Sequence, residues 1–138
     1  MNLNGPILFI NFKTYAESTG KNAVALAKKA AAVAKESKAS IVLVVQAVDL
    51  RLVSESAKLP VFAQHIDPVG FGSNTGHILA EAAKEAGAAG TVLNHAENKR
   101  GNAFLQKAIK RAKEAGLLAM VCAESLERAK EIASFGLL

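Results

Sequence analysis

The sequence predicts an α/β fold with parallel strands, built from five successive strand–helix units, and three observations carry that prediction. Short apolar runs alternate with longer segments whose apolar residues recur every three or four positions. One run, Ser40-Ile41-Val42-Leu43-Val44-Val45, is apolar and largely β-branched without alternation, the pattern of a strand covered on both faces in a parallel sheet. The composition is 51% hydrophobic with only 5% aromatic residues, no tryptophan and much alanine, which suits helices lying close on a sheet better than a β-sandwich. A chain of 138 residues makes one domain, residues 1–138, long enough to enclose a core.

Residues 6–12 make the first strand, which ends at Asn11-Phe12-Lys13-Thr14-Tyr15. Ser18, Thr19 and Gly20 then supply a helix start. Ala23, Leu26, Ala27, Ala30 and Ala34 form one apolar stripe on that helix, with Lys21, Lys28, Lys35 and Glu36 on its other faces. Residues 40–45 are the second strand and 49–56 a short second helix. After Pro60, residues 61–64 are the third strand. A long turn over 65–76 follows, carrying Pro68, Gly70, Gly72 and Gly76, and long ordered loops in compact domains commonly serve function. The third helix runs from His77 or Ile78 to Ala86, with Gly87 as its stop. Gly90-Thr91-Val92-Leu93 is the fourth strand; Leu105, Ala108, Ile109 and Ala112 stripe the next helix, which starts near Asn102 and closes at Gly116. Residues 117–122 are the fifth strand. The last helix, over 124–134, is expected to turn Leu126, Ala129 and Ala133 inward.

Such alternation demands right-handed crossovers between parallel strands. Polar residues then gather where strands end: Asn11 and Lys13 after the first, Gln64 and His65 after the third, Asn94, His95 and Glu97 after the fourth. Carboxyl ends of strands form the catalytic face of barrels and doubly wound sheets. A lone histidine beside an apolar run is commonly a hydrogen-bonded loop or core residue, but this convergence favours a working role for His95. His65 and His77 read as structural.

The net charge of +5 comes from lysines and arginines interspersed with glutamate along the helices, a solvated face and no sign of nucleic acid as a partner. Cys122 is the only cysteine, so neither an internal disulfide nor a thiolate zinc cluster is available, and a reducing, cytoplasmic setting is expected. The run Ile7-Leu8-Phe9-Ile10 lacks the flanks of a secretory signal and no membrane span is expected. The glycines of the 65–76 turn fit no phosphate-binding motif, and no metal constellation is visible.

Four segments together carry a resemblance. Ile10-Asn11-Phe12-Lys13-Thr14-Tyr15, Phe62-Ala63-Gln64-His65-Ile66-Asp67-Pro68, Asn74-Thr75-Gly76-His77 and Leu93-Asn94-His95-Ala96-Glu97-Asn98 resemble, in order and spacing, the amino-terminal part of the triosephosphate isomerase family, especially its short archaeal form. The resemblance implies five units of a TIM (β/α)₈ barrel. It implies interconversion of dihydroxyacetone phosphate and glyceraldehyde 3-phosphate, a triose phosphate substrate, through an enediolate and without cofactor. Matched by position, Asn11 and Lys13 are the substrate-binding asparagine and lysine, His95 the electrophilic histidine, and Glu97 the acidic residue behind the lysine. Thr75 is the tip of the loop, over 67–76, that enters a neighbouring subunit.

The chemistry asks for these types. An enediolate gathers negative charge on two adjacent oxygens, which a fixed ammonium and an imidazole N–H stabilise as it develops. The imidazole must stay neutral to serve both oxygens, and this family is itself the standing example of a neutral catalytic histidine beside a helix amino terminus. A buried lysine would need a carboxylate beside it, the part expected of Glu97. Read alone, Lys13 could equally be a surface residue and Glu97 a helix-start acid.

Two departures stand out. Ala96 occupies a position where the family usually has serine, removing a hydroxyl thought to hold the catalytic glutamate at rest. The chain also ends before the sixth strand, where the family's glutamate base, lid and phosphate site follow, whereas a full barrel takes about 200 residues or more. Five strands alone leave two open edges and an apolar inner face. The sequence therefore leads to the expectation of a split barrel, completed by a carboxyl-terminal half on a second polypeptide that basic charge would help recruit. The alternatives are an inactive truncated fragment that self-associates through its edges, and a small flavodoxin-like binding domain with a different strand order.

Overall fold

The computed structural model describes residues 6–136. Ten regular elements alternate in order: β1 (Ile7–Asn11), α1 (Lys21–Ser37), β2 (Ser40–Val45), α2 (Leu50–Ser56), β3 (Val61–Ala63), α3 (Ala80–Glu85), β4 (Gly90–Leu93), α4 (Asn102–Glu114), β5 (Leu118–Val121) and α5 (Leu126–Ala133), with single 3₁₀ turns at Ala16–Ser18 and Ala47–Asp49. All pairings are parallel and the strand order is sequential, β1-β2-β3-β4-β5. Sequential parallel order gives a curved half-barrel and excludes the flavodoxin-like alternative, whose sheet reverses order. Among the described residues no helix is long and apolar enough to cross a membrane.

Strand alternation sorts the apolar residues into two layers. Ile41, Leu43 and Val45 of β2 join the helices in the larger core, with Ala23, Ala27 and Ala30 of α1 and Leu105, Ala108, Ile109 and Ala112 of α4. Val42 and Val44 point the other way, into a smaller inner cluster with Phe62 and Val92, against which Phe9, Met120 and Cys122 pack. Phe9 and Phe62 meet edge to face with centroids 5.5 Å apart. Both faces of β2 are thus covered, which is why its run does not alternate.

The strand ends expected at Phe12, Gln64 and Cys122 overrun the regular strands by one residue. Each of these residues nonetheless continues the ladder, donating its N–H to Val44, Val45 and Leu93 carbonyls at 2.9, 3.0 and 2.9 Å. Helix α3 starts at Ala80 and not at His77 or Ile78. Asp67 explains this: its N–H donates to the Ile78 carbonyl at 2.9 Å and its Oδ2 accepts the Ile78 N–H at 2.8 Å, holding that segment extended.

The expectation for the last helix is corrected. Leu126 is 65% exposed, and Ala129 and Ala133 are exposed too, while Ile132 is buried and Arg128 and Phe135 are half-buried. The inward face is set by the contact with α4, where Arg128 donates to Asn102 Oδ1 and Asn102 donates to Glu131 Oε1, both at 2.5 Å. The alanine and leucine stripe has the right period but lies on the flank turned away from that contact.

Among the described residues strands β1 and β5 are paired on one side only, and each shows an exposed leucine, Leu8 and Leu118. At Gly90 the inner face is so close that an added Cβ would collide with the Phe62 ring and the Leu118 carbonyl. Backbone cannot yield as a flexible side chain can, so Gly90→Ala is expected to destabilise the fold by about 2–3 kcal/mol in urea unfolding; an unchanged midpoint would contradict the packing described.

Candidate active site

Strands β1, β3 and β4 deliver their polar residues to one cleft of about 350 Å³ at the carboxyl ends of the sheet, lined among others by Asn11, Lys13, Gln64, His95 and Glu97. Asn11 closes β1. Its Oδ1 accepts the Lys13 backbone N–H at 3.0 Å and a Gln64 Nε2 hydrogen at 3.3 Å, and Gln64 Nε2 also donates to the Lys13 carbonyl at 2.8 Å. These three bonds clamp Lys13 in the left-handed region, φ +50°, where a non-glycine residue rests only if its surroundings hold it.

Held this way, Lys13 sends its Nζ to Glu97 Oε1 at 2.7 Å across the cleft. The Glu97 backbone N–H donates to His95 Nδ1 at 3.2 Å. A backbone N–H can only donate, so Nδ1 is an acceptor and the ring's hydrogen sits on Nε2. Glu97 Oε2 also lies 3.5 Å from Nδ1, too long for a good hydrogen bond, and the carboxylate is already committed to Lys13. The hydrogen bond from Lys13 holds the Glu97 carboxyl below its usual range, and the same bond, with the carboxylate charge, raises the Lys13 ammonium above its usual value.

The expectation of a buried lysine is not met. The Lys13 side chain is 33% exposed and that of Glu97 61%. Within the described residues the mouth of the cleft has no cover over this pair. Their attraction therefore counts mainly in orienting the ammonium and little in stability.

Thr75 is exposed and does not line the cleft. Its loop carries Phe71, 81% exposed, which sequence reasoning passed over although a lone phenylalanine between Gly70 and Gly72 marks it. Arg111 of α4 braces the loop, donating from Nε to the Val69 carbonyl at 3.1 Å while pairing with Glu81 and Glu114. Gln64 was noted in the sequence only as one polar strand end; an amide closing a buried apolar strand was the signal of its clamping role.

A sequential parallel half-barrel whose polar side chains meet at the strand carboxyl ends has the layout of a (β/α)-barrel enzyme. The family model described as triosephosphate isomerase matches residues 6–135, and the chain belongs to the triosephosphate isomerase family. It is 46% identical over 125 residues to a triosephosphate isomerase of Methanothermus fervidus, covering 91% of this chain and 56% of the relative. A second, from Methanocaldococcus jannaschii, is 42% identical over 128 residues, covering 93% and 58%. Among solved structures, triosephosphate isomerase from Bartonella henselae superposes with a TM-score of 0.76 at 23% identity, over 96% of this chain and 61% of that one, a likeness of fold. The chain thus spans rather more than half the length of the relatives it matches, and corresponds to their amino-terminal portion.

Beside the cleft, His65 stacks on Phe104 with centroids 5.6 Å apart and contacts Asp67 Oδ1 at 3.2 Å. Burial pushes its pKa below the ordinary imidazole value. The unfolded chain therefore binds the proton more readily, so this contribution to stability is complete above about pH 6.5 and is lost as pH falls below it. The urea midpoint is expected to drop between about pH 7.5 and 5.5, with His65→Gln removing most of that drop; an equal drop in the variant would contradict the assignment.

Proposed function

We propose that this chain is the electrophile-bearing part of a triosephosphate isomerase, interconverting dihydroxyacetone phosphate and glyceraldehyde 3-phosphate with no cofactor. Three further βα units are needed with it to close the barrel. The observation that carries the reading is the shared use of Glu97: its carboxylate holds Lys13 and its N–H fixes the His95 tautomer.

In this reading the substrate's carbonyl and hydroxyl oxygens lie between His95 and Lys13. The Nε2 hydrogen of His95 polarises the carbonyl, and the ring then moves protons between the two oxygens of the enediolate. The Lys13 ammonium meets the charge as it develops, and the Asn11 amide orients the substrate. Among the described residues Glu97 is the only carboxylate lining the cleft, and with Lys13 on it Glu97 is a poor base for the carbon-bound proton. That base, and the phosphate site, belong to the completing units.

Barrel geometry favours a partner of three units over a second copy of this chain. Five sequential strands leave three of a closed eight, whereas two copies would bring about ten. The charge of +5 suits an acidic partner. The loop over 67–76, with Thr75 at its tip, would add a contact to a further subunit, and a cytoplasmic setting fits this chemistry.

Co-expression with a three-unit carboxyl-terminal polypeptide of this family, followed by an isomerase assay, tests the reading. Activity is expected in the complex and not in the chain alone, with Lys13→Ala lowering kcat/KM by about 10²–10³-fold. Failure to form a complex would overturn completion of the barrel at these strand edges, and a stable but inactive complex would overturn the catalytic assignment.

A further inference from the structure

The residue just before His95 carries more of the site than its position in sequence reveals. Asn94 is only 5% exposed and sits in the left-handed region at φ +58°. Its amide is used at both ends: Nδ2 donates to the Cys122 carbonyl at 2.9 Å, and Oδ1 accepts the Arg100 backbone N–H at 2.9 Å. Both anchors are themselves held. Cys122 donates its N–H to the Leu93 carbonyl at 2.9 Å, and the Arg100 guanidinium lies 4.9 Å from the centre of the Phe104 ring on α4.

We propose that Asn94 is the positioning residue for His95. The bond from Arg100 closes the turn over 94–100, and the bond to Cys122 fastens the root of that turn to the end of β5. Within the turn the Asn98 N–H donates to the His95 carbonyl at 2.7 Å, and the Glu97 N–H faces His95 Nδ1. The ring therefore keeps its hydrogen on Nε2 because Asn94 holds Glu97's backbone where it is. The amide satisfies two backbone groups at once, which neither a shorter nor an apolar side chain does. Asparagine also tolerates positive φ better than most residues, so one residue type meets both demands. Its catalytic consequence rests on the reading of His95 as the electrophile; its geometric content does not.

Imidazole ¹⁵N spectra of the full chain, with amide hydrogen exchange, provide the test. In the unaltered chain the neutral His95 ring is expected to carry its hydrogen on Nε2 alone. Asn94→Gly keeps the backbone conformation accessible but removes both bonds. It is expected to mix the two neutral tautomers and speed exchange of the Arg100 amide about tenfold, while the β2 amide shifts stay in place and report an intact fold. Asn94→Asp retains an oxygen for Arg100 but sets a second against the Cys122 carbonyl, so it is expected to mix the tautomers less than the glycine variant does. Unchanged tautomer and exchange in the glycine variant would overturn the proposal, as would an aspartate variant as disordered as the glycine one. In the complemented enzyme the glycine variant should lose kcat by between about tenfold and a hundredfold at nearly constant KM. A tautomer change in a complemented enzyme that is inactive even with Asn94 intact would leave the positioning role standing and remove the catalytic reading.

Discussion

A parallel strand with a partner on one side only leaves a row of backbone donors and acceptors unanswered, and the described residues present two such rows. β1 pairs with β2 alone and β5 with β4 alone, so the sheet curves with its inner cluster of Val42, Val44, Phe62 and Val92 bounded by open edges. The edges also show apolar side chains, Leu8 and Leu118, and α5 shows its Leu126 flank. Everything peculiar to the site follows from this geometry. The strands that are present deliver three polar ends to the cleft, and the Lys13–Glu97 pair lies open to solvent because nothing in the described chain lies over it.

Economy at the cleft comes from Glu97, whose side chain and main chain do different work. The carboxylate orients an ammonium on a strained backbone, while the N–H selects a histidine tautomer. Coulomb attraction between two partly exposed side chains is screened, so precision here comes from the neutral bonds around the pair. Gln64 clamps Lys13 through its carbonyl and Asn11, and Asn94 staples the turn of His95. Amides at the ends of β1, β3 and β4 hold the site's side chains in place.

Much of this was legible in the sequence because it depends on local period. The five strands follow from short apolar runs, the α1 and α4 stripes from spacings of three and four, and the polar strand ends from where the runs stop. The start of α3 was not legible, since Asp67, remote in sequence from Ile78, pulls the segment straight. The α5 stripe was legible as a stripe but not as a direction: period says which residues share a face, and only the neighbouring helix says which face is covered. The clamping roles of Gln64 and Asn94 escaped for the same reason, because each joins backbone groups from different strands or turns.

In a closed eight-stranded barrel the two half-paired strands β1 and β5 would receive the three further βα units. Amide hydrogen exchange of Ile7–Asn11 and Leu118–Val121, with and without a three-unit polypeptide, tests it most directly. Exchange is expected to be fast on both edges in the isolated chain and slowed in both when the polypeptide is added, with Val42 and Val44 at the centre little changed. Edges already as protected as the centre in an isolated monomer, or edges indifferent to the added polypeptide, would contradict it.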